Sequence, residues 1–265
     1  KKLETPHLPP IDYRYGWNLS KHEHQLKLLK AQLKIGTDCL FASPNCAPWG
    51  NDSRAVTAQK REERRGKETN TLSFLAVACI FQILLDRKYI VENSAYSDIF
   101  AKSPLEILRQ LPFFLALFDQ CSCGPSLNGE YVRKRSHFQS SHVFHHLHKL
   151  CPGGHEHLHL RGGGLAASAA LYPDPECKLI LSETQLPADA CKGGRNLLAN
   201  GTSVSDFVRM SWEEQLRCLR SIAQAKGISK VWTTVVQPWL RNKGDMAVQA
   251  LPFPYDDDAH WAYRR

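Results

Sequence analysis

A thiol, a carboxylate and two guanidinium groups follow successive apolar runs of this 265-residue chain. Cys46 stands in the loop Ser43-Pro44-Asn45-Cys46-Ala47-Pro48, after the short run Cys39 to Ala42. Glu92 and Asn93 end the run KYIVEN, Lys88 to Asn93, and Arg133 and Arg135 alternate with Tyr131 in EYVRKRSHFQSS. A thiolate is a nucleophile, a carboxyl group beside it can hold or supply a proton, and a guanidinium can hold a carbonyl oxygen. Those are the needs of addition to a cytosine ring. The thiolate adds to C6 to make an enamine, an acid absorbs the charge growing at N3, and a cation holds O2. For Cys46 alone the plainer alternative is a small buried hydrophobe. Order along the chain is what sets the constellation apart from its members.

A second group of chemistry-bearing residues follows. His142, His145, His146, His148, His155, His157 and His159 crowd into eighteen residues together with Cys151. With Cys121, Cys123 and Cys177 they include enough soft donors for a tetrahedral zinc, and the spacing Cys151-x3-His155 is workable. The metal set expected is Cys121, Cys123, Cys151, His155 and His157. The alternative is that the histidines are scattered over the surface and the cysteines fill the core. No His-Glu-x-x-His pattern points to a zinc hydrolase.

The elements that must position these groups read as an α/β sheet. Ser20 to Lys34 patterns as a helix stopped by Gly36, and Asp38 to Ala42 as a strand. The charged segment Lys60 to Glu68 reads as a solvated loop or helix start, or as a phosphate contact near the cysteine loop. Thr69 or Asn70 then caps a helix from Thr71 to Asp86. Lys88 to Asn93 and Phe113 to Phe118 are the next strands, and the capping box at Ser103 starts a helix between them. Asn128-Gly129 predicts a hairpin turn, after which Tyr131, Arg133 and Arg135 share one strand face. Further on, Leu165 to Leu171 reads as a helix, Tyr172 to Ser205 as loops, Ser211 to about Lys226 as a capped helix, and Val231 to Val236 as a strand. Residues 1–140 are expected to form the main α/β core, and 141–265 a smaller, loop-rich region partly packed on it.

The chain is 43% hydrophobic, enough for one sizeable core, and carries 34 Lys and Arg against 26 Asp and Glu, a net +8. That balance favours a polyanionic partner. Nine cysteines without framework spacing suit a reducing, intracellular compartment. The longest apolar stretch, Leu72 to Leu85, is too short to span a bilayer. The opening KKLETPHLPP reads as the middle of a longer polypeptide.

Between about residues 38 and 140 the sequence resembles the cytosine-C5 DNA methyltransferase family. Ser43-Pro44-Asn45-Cys46 is similar to its Pro-Cys nucleophile loop, Glu92-Asn93-Ser94 to its Glu-Asn-Val motif, and Tyr131 to Arg135 to its Gln-x-Arg-x-Arg motif. More narrowly, DCLFASPNCAPW, FDQCSCG, RKRSHFQSS and Cys-Pro-Gly-Gly-His-Glu-His resemble methyltransferase-like segments in retrotransposon polyproteins of algae such as dinoflagellates. The resemblance implies a Rossmann-like sheet with helices on both faces, Cys46 as nucleophile, Glu92 as N3 partner, and Arg135 with Arg133 at O2. It further implies S-adenosylmethionine as methyl donor, held with the help of Asp12, Pro44 and Asn93, DNA as partner, and a nuclear site of action. An inactive, nucleic-acid-binding or assembly subunit that keeps the fold, stabilised by zinc, is the alternative. Asn45 and Tyr131 depart from the family pattern, and no Phe-x-Gly-x-Gly turn precedes Asp38. Gly162 to Gly164 read as a loop.

Overall fold

The computed structural model describes residues 10–50, 56–158, 160, 169, 172–185 and 197–241. The expected helix Leu165 to Leu171, His159 and Gly162 to Gly164 lie outside the described residues. The strands are β1 (Cys39–Ala42), β2 (Lys88–Ser94), β3 (Phe114–Asp119) and β4 (Arg135–Ser140). They form one mixed sheet in the order β1-β2-β4-β3. β1 and β2 are parallel, with Leu40 opposite Tyr89, while β4 runs antiparallel to both β2 and β3. Hence β1, β2 and β3 all point the same way. Their C-terminal ends share one edge of the sheet with the start of β4, the edge where open α/β sheets gather ligands.

Helices cover both faces. On one side α1 (His22–Ile35) and α2 (Ala58–Leu84) pack with Tyr89 and Val91 of β2. α1 presents Leu26, Leu29 and Leu33 at helical spacing and ends at Gly36, whose φ of 74° is open to glycine. The same apolar cluster takes in Leu219, Ile222 and Ala223 of a C-terminal helix (Trp212–Ala225), and then Trp232, Val236 and Trp239. On the opposite side Ile90, Ala116, Phe118 and Phe138 pack with Leu147 and with Ile180 of a helix at Asp174–Gln185. No helix among the described residues is long and apolar enough to cross a membrane.

Several expectations are corrected. Lys60 to Glu68 takes its helix-start alternative, and the helix expected from Thr71 begins earlier. The segment forms early turns of α2, which begins thirteen residues before Thr71, with Thr57 capping Lys60 N at 3.3 Å. Its charges pair along the helix, Glu62 with Arg65 at 3.1 Å and Glu63 with Lys67 at 2.9 Å. Val231 to Val236 is helical, because Trp232, Val236 and Trp239 recur at a helix's period and bury one stripe. Tyr172 to Ser205 carries the helix Asp174–Gln185, and a second helix, Val204–Arg209, starts at its end. In the first, Glu176, Ile180 and Glu183 face inward. The segment after Ser103 winds as a 3-10 helix, Pro104–Gln110. The hairpin turn forms as expected, with positive φ at Asn128 and Gly129 and Leu127 bridged to Glu130. β4, however, starts only at Arg135, so Tyr131 and Arg133 are not on the strand.

Candidate metal centre and the sheet edge beside it

At the shared edge, β1 runs into the Cys46 loop. Cys46 is the only exposed cysteine among the described ones. Its carbonyl accepts from Trp49 N at 2.9 Å and Gly50 N at 2.8 Å, closing a tight turn. Arg65 of α2 braces that turn. It donates to the Pro48 carbonyl at 3.1 Å, lies 4.9 Å over the Trp49 ring and pairs with Asp98 at 3.2 Å. Part of the charged segment therefore does reach the cysteine loop, with its guanidinium engaged by protein groups. From β2, Asn93 Nδ2 donates to the Pro44 carbonyl at 2.9 Å, while Asn93 Oδ1 is buried without a partner.

Glu92 is buried, and three hydroxyls converge on it. Ser43 Oγ donates to Oε2 at 2.7 Å, Tyr172 OH to Oε2 at 2.6 Å, and Ser136 Oγ to Oε1 at 2.6 Å. Burial, then the Glu92 charge, pushes the Tyr172 phenol up. Lys134 Nζ sits 4.9 Å over the Tyr172 ring. Nearby, burial pushes the Glu176 carboxyl up to about 7, with the Glu92 charge adding to the rise and Lys134 opposing it.

Arg135 does not join Glu92. Residues alternate along β4, so Arg135 faces away from the side on which Ser136 meets Glu92. Its Nε and Nη2 make a bidentate pair with the Asp119 carboxylate, both bonds 2.7 Å. Burial acts to raise the Asp119 carboxyl, but the Arg135 bonds, the Cys151 N–H and nearby Arg133 outweigh it and hold it below the usual carboxylate range. Asp119 Oδ2 also accepts from Cys151 N at 2.9 Å. Arg135 thus supports the cysteine and histidine group. Arg133 is exposed in the link between hairpin and strand.

That group gathers where β3 ends. Cys121 sits on the 3-10 turn Gln120–Cys123, and Cys151, His155 and His157 come from the segment after β4. The four donor atoms lie within 4.8 Å of one another. Cys151 Sγ is 3.6 Å from His155 Nε2 and 3.5 Å from His157 Nε2, and the two Nε2 atoms are 3.2 Å apart. A tetrahedral zinc with Zn–S of about 2.3 Å and Zn–N of about 2.05 Å requires S···N edges of about 3.6 Å and an N···N edge of about 3.3 Å. The Cys151, His155 and His157 edges therefore match a tetrahedral ion, with Cys121 Sγ, within 4.8 Å of each, as the available fourth donor. Gly153 and Gly154, with φ of 78° and 73°, turn the chain so that His155 comes back to Cys151. Tyr131 stacks on His155 with centroids 3.9 Å apart, and its carbonyl accepts from Leu158 N at 2.8 Å. The histidine-bearing segment is anchored upstream by Glu183, whose Oε1 accepts from the N–H groups of His145, His146 and Leu147.

Cys123 is not in this group, a correction to the expected metal set. Two residues along a 3-10 turn are about 240° apart, so Cys121 and Cys123 diverge, and Cys123 packs against the Ile90 and Phe138 cluster instead. Cys177 is outside the group too and donates to the Tyr172 carbonyl at 3.6 Å.

The groups expected to hold S-adenosylmethionine do not form a cradle. The Asp12 carboxylate caps Arg14 N and pairs with the Arg14 guanidinium at 3.2 Å. The Asn93 amide and Pro44 carbonyl are bonded to each other, and no strand among the described residues runs into a Gly-x-Gly turn.

Sequence reasoning missed Ser43, Ser136 and Tyr172 around Glu92, and Asp119 behind Cys151. Ser43 was legible from its place before Pro44. Tyr172 had no local signal, lying 80 residues beyond Glu92. Comparison with protein-family models, curated proteins and solved structures finds no match for the chain.

Proposed function

We propose that this chain is a nucleic-acid-binding domain with a Rossmann-like, methyltransferase-type sheet, in which a structural zinc staples the histidine-rich segment to the sheet edge. What carries this is the group of Cys121, Cys151, His155 and His157, whose four donor atoms lie within 4.8 Å of one another and whose Cys151, His155 and His157 edges match those of a tetrahedral ion. Four protein donors close the coordination sphere and leave no position for a reacting water, so the ion's role is to hold structure. The segment from His142 to Leu158 has Leu147 as its only fully buried apolar side chain among the described residues, and the ion supplies the cohesion a core would otherwise give. The net charge of +8 and the resemblance to DNA methyltransferases support DNA as partner. On the same resemblance, the domain works in the nucleus as part of a retrotransposon-type polyprotein. The test is metal content and fluorescence anisotropy with a labelled DNA duplex. The protein should purify with one zinc per chain, and its DNA affinity should fall steeply with salt. A metal-free protein with salt-independent binding overturns the proposal.

One observation favours a second reading, covalent capture of a pyrimidine. Cys46 is exposed on a braced loop that Ser43 ties to Glu92. The thiolate would add to C6, the ring electrons moving to C5, which takes a proton from water. A duplex carrying pyrimidin-2-one in place of cytosine traps such an adduct. A band that survives denaturation with the native chain and vanishes with Cys46→Ser supports capture, and no adduct with either excludes it.

A further inference from the structure

We propose that the Cys121–Cys151 pair makes the centre an oxidation-responsive staple: a hydroperoxide joins the two sulfurs as a disulfide and expels the metal. This rests on the metal site proposed above and adds its regulation. Both sulfurs belong to one site and lie within 4.8 Å of each other. A disulfide brings them to about 2.05 Å. The two cysteines differ in access. Cys151 is half-buried and Cys121 is 1% exposed, so a small oxidant reaches Cys151 first and Cys121 is the resolving thiol.

The backbone keeps them together without the ion. Asp119 N donates to the Lys149 carbonyl at 2.8 Å, Lys149 N to the Leu117 carbonyl at 3.1 Å, and Cys151 N to Asp119 Oδ2 at 2.9 Å. Residues 149 to 151 are therefore docked along the end of β3, beside the turn that carries Cys121.

The chemistry balances. The Cys151 thiolate attacks one peroxide oxygen, the O–O bond breaks, and a sulfenic acid and hydroxide form. The Cys121 thiolate then attacks the sulfenic sulfur, the S–S bond forms, and a second hydroxide leaves. Two thiolates and one hydrogen peroxide give one disulfide and two hydroxides, the sulfurs losing two electrons and the peroxide gaining them. His155 and His157 remain as two ligands, too few for a closed zinc site, and the ion departs.

The experiment uses the zinc-loaded full chain and its Cys46→Ser variant, which removes the exposed competing thiol. Each is treated with one equivalent of hydrogen peroxide. Released zinc is read with a chromogenic chelator, thiols by disulfide-exchange titration, and linkages by mass spectrometry of the digest. The expected result in both proteins is one zinc released per disulfide formed, a peptide pair joined through Cys121 and Cys151, and recovery of zinc binding after a dithiol and zinc are added. Retained zinc while other thiols oxidise overturns the proposal, as does zinc loss with Cys151 carried on to sulfinic acid and no 121–151 link. A chain that takes up no zinc before any oxidant is added refutes the metal site itself, a separate outcome.

Discussion

Replacing Glu176 by glutamine should stabilise the protein, and by an amount that grows with pH. Glu176 is 1% exposed on the helix that packs over Glu92, and burial, then the Glu92 charge, moves its carboxyl from 4.5 to about 7. The folded state therefore binds this proton more tightly than the unfolded chain. The stabilisation is complete below pH 4.5, is lost as pH rises towards 7, and stays lost above it. A shift of that size corresponds to about 3 kcal/mol, at about 1.4 kcal/mol per pKa unit. Glutamine keeps the shape of the neutral acid and has no proton to lose. The difference in unfolding free energy, Glu176→Gln minus native, should be about 1 kcal/mol at pH 5 and about 3 kcal/mol at pH 8. Urea titrations of both zinc-loaded proteins at pH 5, 6, 7 and 8 read this directly, and the metal's own pH dependence cancels in the difference. A difference that is flat across that range, or a glutamine variant less stable than the native chain at pH 8, refutes the reasoning.

Gly66 lies exposed inside α2 with no atom within 4 Å of where a Cβ would sit. Gly66→Ala should raise stability by about 0.5–1 kcal/mol in a denaturant titration. Glu183→Ala leaves three backbone N–H groups of residues 145–147 without their acceptor, so it should cost about 3 kcal/mol or more and weaken zinc retention against a chelator. Arg135→Met strips the partner from the fully buried Asp119 carboxylate and should cost about 3–5 kcal/mol. Because Asp119 also holds Cys151 N, the same change should lower zinc affinity about 10- to 100-fold in a competition assay.

Much of the framework was legible because it is local. β1, β2 and β3 announced themselves as short apolar runs, Gly36 as a helix stop, Asn128-Gly129 as a turn, and Ser211 with Glu214 as a capping box that forms in full. The α/β class followed from that order, whereas helices on both faces were what the family resemblance implied. Where local signals compete, tertiary packing decided. Val231 to Val236 satisfies a strand's composition, but Trp239 beyond it extends a helical stripe that buries against α2. The charges of Lys60 to Glu68 suit a loop or a helix start, and at spacings of three and four they are pairs on a helix surface.

The site divides in the same way. Cys151, His155 and His157 could be grouped from spacing, since a short glycine turn is all that separates them. Cys121 belongs with them only through the antiparallel return of β4 beside β3, and Cys123 looked equivalent because sequence spacing alone does not show which way a 3-10 turn points each side chain. The carboxylate and guanidinium were expected to converge near Cys46. Glu92 is tied to that loop through Ser43, whereas the Asp119 pair draws Arg135 to the cysteine and histidine group. No local pattern announces that Asp119 will claim Arg135, because the pairing is set by the β3–β4 register, which places the two residues opposite each other.

X-ray absorption at the zinc edge on the purified chain tests the centre most directly. Two sulfur ligands at about 2.3 Å and two nitrogen ligands at about 2.0–2.1 Å should appear, and should be unchanged in Cys123→Ser. Absence of zinc, or a sulfur ligand lost on replacing Cys123, would contradict the Cys121, Cys151, His155 and His157 site.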